Sequence, residues 1–434
     1  MMGDAGFEFL NAQRANLEAC VRCGLCLETC PTYILSRLEE ESPRGRIALA
    51  KALLDGHLEL TKDLVEHELS CLVCEGCTAV CPAGVRMEEI AVAFRADLSA
   101  AGAVPRRARI ASRVLRILGD RPRLVRAARR LELARRLGLV RLGSWTGILR
   151  LLGVAYGQVP PVPREFVEPD GRAWEPLSGP VRGRVVLFAG CVMSTLLAPT
   201  DVATGELLAA AGYEVIVASG QTCCGALAAH SGDAQTATSL AKRNLQALGW
   251  GSEPIALNSA GCGAFLTQYG SVLGARGAAI ADRVVDVTEL LADSPLDLSG
   301  TPPPGPVAFQ DPCHARLAQG IVDAPRRLLS RIPGLELVEI EEPEICCGSA
   351  GVYNVTDRAR SRELGHRKAE AIAASGARTV VTTNPGCLLQ VRGALRELGV
   401  KVSVRHLADV LRGACPTQVR TVPGSSLEGT PVRG

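Results

Sequence analysis

The chain has 434 residues and a mass of 45.7 kDa, with 47% hydrophobic and 21% charged residues, the profile of a globular protein with several domains. A net charge of +3 speaks neither for nor against polyanions, but aromatics at 3% leave no stacking platform for single strands, so no nucleic acid partner is expected. The first residues, MMGDAGFEFLNAQRANLEAC, hold no apolar leader, and the longest uncharged stretch, Pro254 to Ala275, is broken by glycines and by Asn258, Thr267 and Gln268. The expectation is a cytoplasmic protein whose seventeen cysteines stay reduced.

Residues 1–100 are expected to form a helical module around two cysteine runs. The first is Cys20, Cys23, Cys26, Cys30 and then Pro31; the second is Cys71, Cys74, Cys77, Cys81 and then Pro82. This is the spacing that holds [4Fe–4S] clusters in two-cluster ferredoxins, where the fourth cysteine of each run serves the other cluster. On that basis Cys20, Cys23, Cys26 and Cys81 are assigned to one cluster, and Cys71, Cys74, Cys77 and Cys30 to the second. Three sulfurs at i, i+3 and i+6 on a tight coil reach three corners of one cubane. The fourth is expected to start a helix, where a following proline is tolerated. Gly24 and Gly76 suit a backbone wrapped closely around a cofactor. Structural zinc fits less well, because it uses separated Cys-x2-Cys knuckles. Between the runs, Ile47, Leu49, Ala50, Leu53 and Leu54 recur at helical spacing, with Ser42-Pro43-Arg44 as the start signal and Gly56 as the stop.

Residues 101–183 read as an arginine-rich helical stretch followed by a Pro/Gly linker. Between Arg106 and Arg150 the only acids are Asp120 and Glu132. Two readings stand: a solvated helical face in an arginine-biased composition, or a basic amphipathic surface for anionic lipid or an acidic partner.

From residue 184 an internal repeat is expected, 184–300 and then 301–415, with 416–434 as a flexible tail. In the first copy, Val185–Phe188 leads to Cys191, Tyr213–Val217 to Cys223-Cys224-Gly225, and Ile255–Leu257 to Cys262. In the second, Val307–Phe309 leads to Cys313, Leu335–Ile340 to Cys346-Cys347-Gly348, and Thr379–Val381 to Cys387. Offsets of 313−191 = 122, 346−223 = 123 and 387−262 = 125 mark a duplication. Strands alternating with helices predict two α/β units with largely parallel sheets, so the fold class is multi-domain α/β. Each cysteine follows a strand, the end at which such sheets build sites. The eight repeat cysteines are therefore a candidate additional cluster or redox site. Cys415 has no assigned role. His314 beside Cys313 is a candidate to tune a cluster by hydrogen bonding, against the plainer reading of a solvated or packed loop residue; His230 and His366 carry no stronger signal.

The segments ACVRCGLCLETCPTY, SPRGRIALAK, CLVCEGCTAVCPAGVR, TCCGAL, SAGCGAFLTQYG, ICCGSAGVYN and VRHLADVL together resemble a family. It includes heterodisulfide reductase B and D subunits, the anaerobic glycerol-3-phosphate dehydrogenase C subunit, lactate-utilisation proteins and glycolate oxidase iron–sulfur subunits; the chain looks most like the last. The resemblance spans Cys20 to Leu411. It implies an iron–sulfur electron-transfer subunit working with FAD-containing dehydrogenase subunits that oxidise glycolate, and D-lactate too. Electrons would pass toward a quinone-type acceptor, through peripheral contact with the inner face of the cell membrane. FAD would reside in the partner only, since no G-x-G-x-x-G follows a strand here, and no catalytic residue is assigned to this chain. Two [4Fe–4S] clusters are implied, with one or two more in the repeats. One departure stands out: Ser259 and Asn384 occupy positions where heterodisulfide reductases carry a further cysteine, which puts disulfide reduction on five-thiolate clusters in doubt. Competing readings are the equivalent subunit of a lactate, glycerol-3-phosphate or heterodisulfide-reductase-like complex, and a non-catalytic metal-binding scaffold.

Overall fold

A computed structural model describes residues 6–147, 161–177 and 179–422. The N-terminal part is helical. Its central helix, Pro43–Leu54, starts where the sequence signals it: Ser42 caps it by accepting from the Gly45 amide, and Pro43 takes the first position, where a missing N–H costs nothing. Ile47, Ala50 and Leu53 face a core completed by Ile90, Phe94 and Leu98 of the helix Met87–Ala100. Helices Arg106–Leu115 and Arg121–Arg136 follow and lie against the first repeat, where Arg116 meets Asp233 at 2.7 Å and Arg121 meets Ser194 at 2.9 Å; Leu139–Trp145 packs on the second of them.

The two repeats share one topology. In the first, β2 (Gly183–Leu187), β3 (Tyr213–Ile216), β4 (Ile255–Leu257) and β5 (Val284–Asp286) form a parallel sheet in the order β3-β2-β4-β5. In the second, β6 (Val307–Phe309), β7 (Leu337–Val338), β8 (Thr379–Thr382) and β9 (Ser403–His406) run parallel in the order β7-β6-β8-β9. Central strands are covered on both faces, as in other parallel sheets, so Val185, Val186 and Leu187 are fully buried, as are Val307 and Ala308. One apolar core runs through both repeats and joins Leu187 and Val215 to Phe309, Val381 and Leu411; Cys415 packs into its edge.

Several expectations need correction. The stretch before 184 contributes a strand, β1 (Ala173–Pro176), antiparallel to β3. The expected flexible tail is ordered at its start, where β10 (Val419–Val422) pairs with β1 from Ala173↔Val422 to Pro176↔Val419. Neither segment alternates strongly in sequence; partners almost 250 residues away hold them in place. The strand expected over Leu335–Ile340 shrinks to Leu337–Val338, and β5 and β9 had no sequence counterpart. The linker residues 158–160 and the tail from 423 fall outside the described residues. No helix among the described residues is long and apolar enough to cross a membrane.

Candidate metal centres

The two ferredoxin-type loops have the same backbone shape. The residues two and four places after the first cysteine are left-handed in both: Arg22 (φ 58°) and Gly24 (φ 88°) in one, Val73 (φ 52°) and Glu75 (φ 65°) in the other. Such a conformation costs a non-glycine residue about 1–3 kcal/mol, and a β-branched residue such as Val73 rarely adopts it. The strain coils each loop so that its cysteines turn to one side. Gly76, expected to supply the freedom, is not the left-handed residue; Glu75 is. Gly76 instead permits close approach, since a Cβ there would lie 3.2 Å from the Thr29 carbonyl. The two prolines also differ: Pro31 opens the helix Pro31–Ser36, whereas Cys81-Pro82 enters a turn and the next helix waits until Met87.

Cys20, Cys23, Cys26 and Cys81 line a first void of about 30 Å³. Cys30, Cys71, Cys74 and Cys77 line a second of about 20 Å³; Cys77 also borders the first. Among the described residues no three His, Cys, Asp or Glu side chains converge on a single-ion point. The sulfurs surround voids, an arrangement suited to a cluster with a volume of its own. The donors suit iron–sulfur chemistry in kind: all are soft sulfurs, and burial pushes the Cys74 and Cys77 thiols well above the usual range. Buried thiols of this sort ionise when a cation faces them, which cluster iron provides.

The two voids differ in surroundings. The first is at the surface: Cys23 is exposed, between Val21 (70% exposed) and Leu25 (59%). The second has no exposed cysteine: Cys30 is buried, Cys71, Cys74 and Cys77 are half-buried, and the buried guanidinium of Arg46 lies in its wall. Arg46 donates to the Glu41 carboxylate (2.7 Å), Ser70 Oγ (2.6 Å), Thr32 Oγ1 (3.1 Å) and the His67 carbonyl (2.9 Å). Glu41 in turn meets His67 Nδ1 at 2.9 Å and, from the second repeat, Arg360 at 3.1 Å. Thr32 Oγ1 is 3.3 Å from Cys30 Sγ, so the network reaches a cysteine of the second void. Sequence reasoning missed Arg46; its only signal was its place in SPRGRIALAK.

The repeats bring seven of their eight cysteines to one cavity of about 220 Å³: Cys191, Cys223, Cys224, Cys262, Cys313, Cys346 and Cys387. Cys347 is buried behind it, in the core beside β6 and β8. Cys191 and Cys223 stand 3.5 Å apart, sulfur to sulfur. Cys262 and Cys387 are each the third residue of a helix, Ala260–Leu266 and Pro385–Glu397, so the two repeats present these sulfurs from matching positions. The glycine after each cysteine pair is required by geometry. Gly225 and Gly348 have φ of 99° and 81°, and a Cβ on Gly348 would lie 2.5 Å from the Ser361 carbonyl. Ser259 and Asn384 also line the cavity. Asn384 Oδ1 accepts from the Gly261 amide at 3.2 Å and its Nδ2 is 3.4 Å from Cys387 Sγ, so this residue ties one repeat to the other.

The second void adjoins this cavity. Leu72, between Cys71 and Cys74, lines both. Cys74, Cys313 and Cys346 belong to one apolar cluster around Leu72 and Tyr353. His314 is neither solvated nor bonded to sulfur: its Nε2 is 2.8 Å from the Val73 carbonyl, which fastens the second loop to the repeat. His230 is half-buried 5.9 Å from the His314 ring, and loss of solvation pushes it down to about 3. His366 pairs with Glu397 at 2.9 Å, away from the cavity.

The 4Fe-4S dicluster domain family matches residues 16–85, and the cysteine-rich domain family matches residues 185–267 and 307–392. The chain is 37% identical over 416 residues to the probable glycolate oxidase iron-sulfur subunit of Bacillus subtilis (strain 168), covering 90% of this chain and 92% of that one. It is 32% identical over 409 residues to the glycolate oxidase iron-sulfur subunit of Escherichia coli (strain K12), covering 92% and 94%. Lactate utilization protein A of Oceanobacillus iheyensis is 30% identical over 236 residues, which is 52% of this chain and 96% of that protein.

Proposed function

The chain belongs to the family of glycolate oxidase iron–sulfur subunits, and from that premise we propose that it draws electrons from the oxidation of glycolate to glyoxylate, and of D-lactate, carried out on FAD in partner subunits. The observation that carries the reading is the succession of three sulfur-lined sites, with Cys77 shared between the first two and Leu72 between the last two. Cys20, Cys23, Cys26 and Cys81 hold the first [4Fe–4S] cluster, and Cys30, Cys71, Cys74 and Cys77 the second. The quartets Cys191, Cys223, Cys224, Cys262 and Cys313, Cys346, Cys347, Cys387 hold further iron. When bound, each cluster takes up and releases one electron at a time.

The chain's own residues set the order. Cys23, with exposed Val21 and Leu25 around it, presents the first site to the partner's flavin. Arg46 and its network line the second. The acceptor side is a quinone at the membrane's inner face. Supporting a peripheral contact there, exposed Leu133, Leu137, Leu142 and Trp145 alternate with Arg129, Arg130, Arg136 and Arg141, the composition of an interfacial helix on anionic lipid.

The test is to assemble the anaerobically purified protein with its flavin subunits and follow cluster reduction by electron paramagnetic resonance. Glycolate and D-lactate should reduce the clusters and glycerol-3-phosphate should not. Clusters reduced by dithionite but by neither 2-hydroxy acid would sink the assignment of the donor. Iron should exceed the roughly eight atoms per chain that two four-iron clusters account for. A value at eight would confine iron to the N-terminal sites, and zinc without iron would favour a scaffold.

A further inference from the structure

Arg95, on the helix Met87–Ala100, is 6% exposed and no carboxylate is hydrogen-bonded to its guanidinium among the described residues. Its Nη2 donates to the carbonyls of Glu68 (3.2 Å), Leu69 (3.3 Å) and Cys71 (2.5 Å), and its Nη1 to that of His230 (2.7 Å). Its Nε meets no acceptor there. Arg46, buried as deeply, sits 2.7 Å from Glu41. Four neutral carbonyls satisfy donors but do not neutralise a charge, and a buried cation without a counter-ion is strongly unfavourable. Glu68 is buried in the same region, yet neither of its oxygens meets a donor. Arg95, Cys71 and His230 line one small cavity, which places the guanidinium against the start of the second run.

Cys71 opens the second run. We propose that the counter-ion of Arg95 is the thiolate-bound second cluster, and that Arg95 raises this cluster's reduction potential above that of the first. The inference rests on the ligand assignment under Proposed function. One-electron transfer from the first cluster to the second makes and breaks no bond and adds one negative charge beside Arg95. In a partly buried site that charge is screened less than it would be at the surface. The arginine near the first void, Arg44, is partly exposed and already paired with Glu39 at 2.6 Å, so it offers no equal stabilisation. Electrons that enter at the exposed site are therefore drawn inward. By holding the carbonyls of Cys71 and His230 together, Arg95 also sets the second loop against the cavity between the repeats, which His230 lines. It is a positioning residue, touching neither substrate nor sulfur.

The experiment is a potentiometric titration of the anaerobic, iron-loaded protein, read by electron paramagnetic resonance for each cluster. In Arg95→Met the reduced-to-oxidised ratio of the second cluster at a fixed potential should fall at least tenfold, a 59 mV shift for a one-electron couple. The first cluster should titrate as before, and Arg95→Lys should restore most of the ratio. An Arg95→Met protein with full iron and an unshifted second cluster overturns the inference. If Arg95→Met loses the second cluster alone while Arg95→Lys keeps it, the counter-ion role is supported; loss from both variants alike overturns it. Absence of a second cluster from the unsubstituted protein removes the ligand assignment, and the inference with it.

Discussion

Cys74→Ser is expected to cut glycolate-driven electron flow through the assembled complex at least about 100-fold, while FAD stays bound and is still reduced by glycolate. Serine keeps the size and loses the soft donor that iron–sulfur sites select. The position matters as much as the chemistry. Cys74 lines the second void and packs in the apolar cluster that also holds Cys313 and Cys346, so loss of this ligand interrupts the path where it meets the repeats. Dye reduction with glycolate as donor measures the effect, and resonance spectra of the first cluster show that the rest is intact. Cys415→Ser, in the core and lining none of the three sulfur-lined sites, is the control and should leave the flow unchanged. Retained flow in Cys74→Ser would end the proposal that electrons pass through this chain's second cluster.

Arg46→Met should destabilise the folded protein by about 3 kcal/mol, the lower end of the 3–5 kcal/mol typical when one partner of a buried ion pair is removed. The lower end is expected because Glu41 keeps Arg360 and His67. Denaturant unfolding of the iron-loaded protein gives the difference. Its pH dependence follows from Glu41. Burial alone would raise this carboxyl, but hydrogen bonds from Ser70 and His67 and the charges of Arg46 and Arg360 outweigh burial and hold it below the ordinary carboxylate range. A depressed acid contributes stability above its unfolded pKa of about 4.3 and loses it as pH falls through the folded value. The advantage of the unsubstituted protein over Arg46→Met should thus be full at neutral pH and shrink below about pH 4. An equal loss on Arg46→Met in a Glu41→Gln background at pH 7 would show that packing, not charge, keeps Arg46 in place.

Much of this was legible in residue order because ligand spacing is a local property. Four cysteines within eleven residues describe their own coil, and near-constant offsets between Cys191 and Cys313, Cys223 and Cys346, and Cys262 and Cys387 disclose a duplication without any contact being known. The parallel α/β repeats followed from short apolar runs such as Val185-Val186-Leu187 alternating with helical segments. Less legible were the very short strands: Leu337–Val338 is two residues long, β1 lies between β3 and β10, and β10 pairs with β1 across almost 250 residues. The conformations inside the loops were also hidden, since nothing in the residue types marks Val73 or Glu75 as left-handed; packing imposes that strain.

The sequence by itself determined which sulfurs are available, how they divide into two runs and two quartets, and that strands precede the second set. Tertiary structure alone decided that seven of the eight repeat cysteines face one cavity, that Leu72 lies between that cavity and the second void, and that Arg95 is buried with no carboxylate hydrogen-bonded to it among the described residues. The reason is range. A cysteine run is set by neighbours a few residues away, whereas Arg95 meets His230 across 135 positions and Asn384 meets Gly261 across 123. Contacts of that kind arise from the docking of one folded unit on another, and no local pattern encodes them.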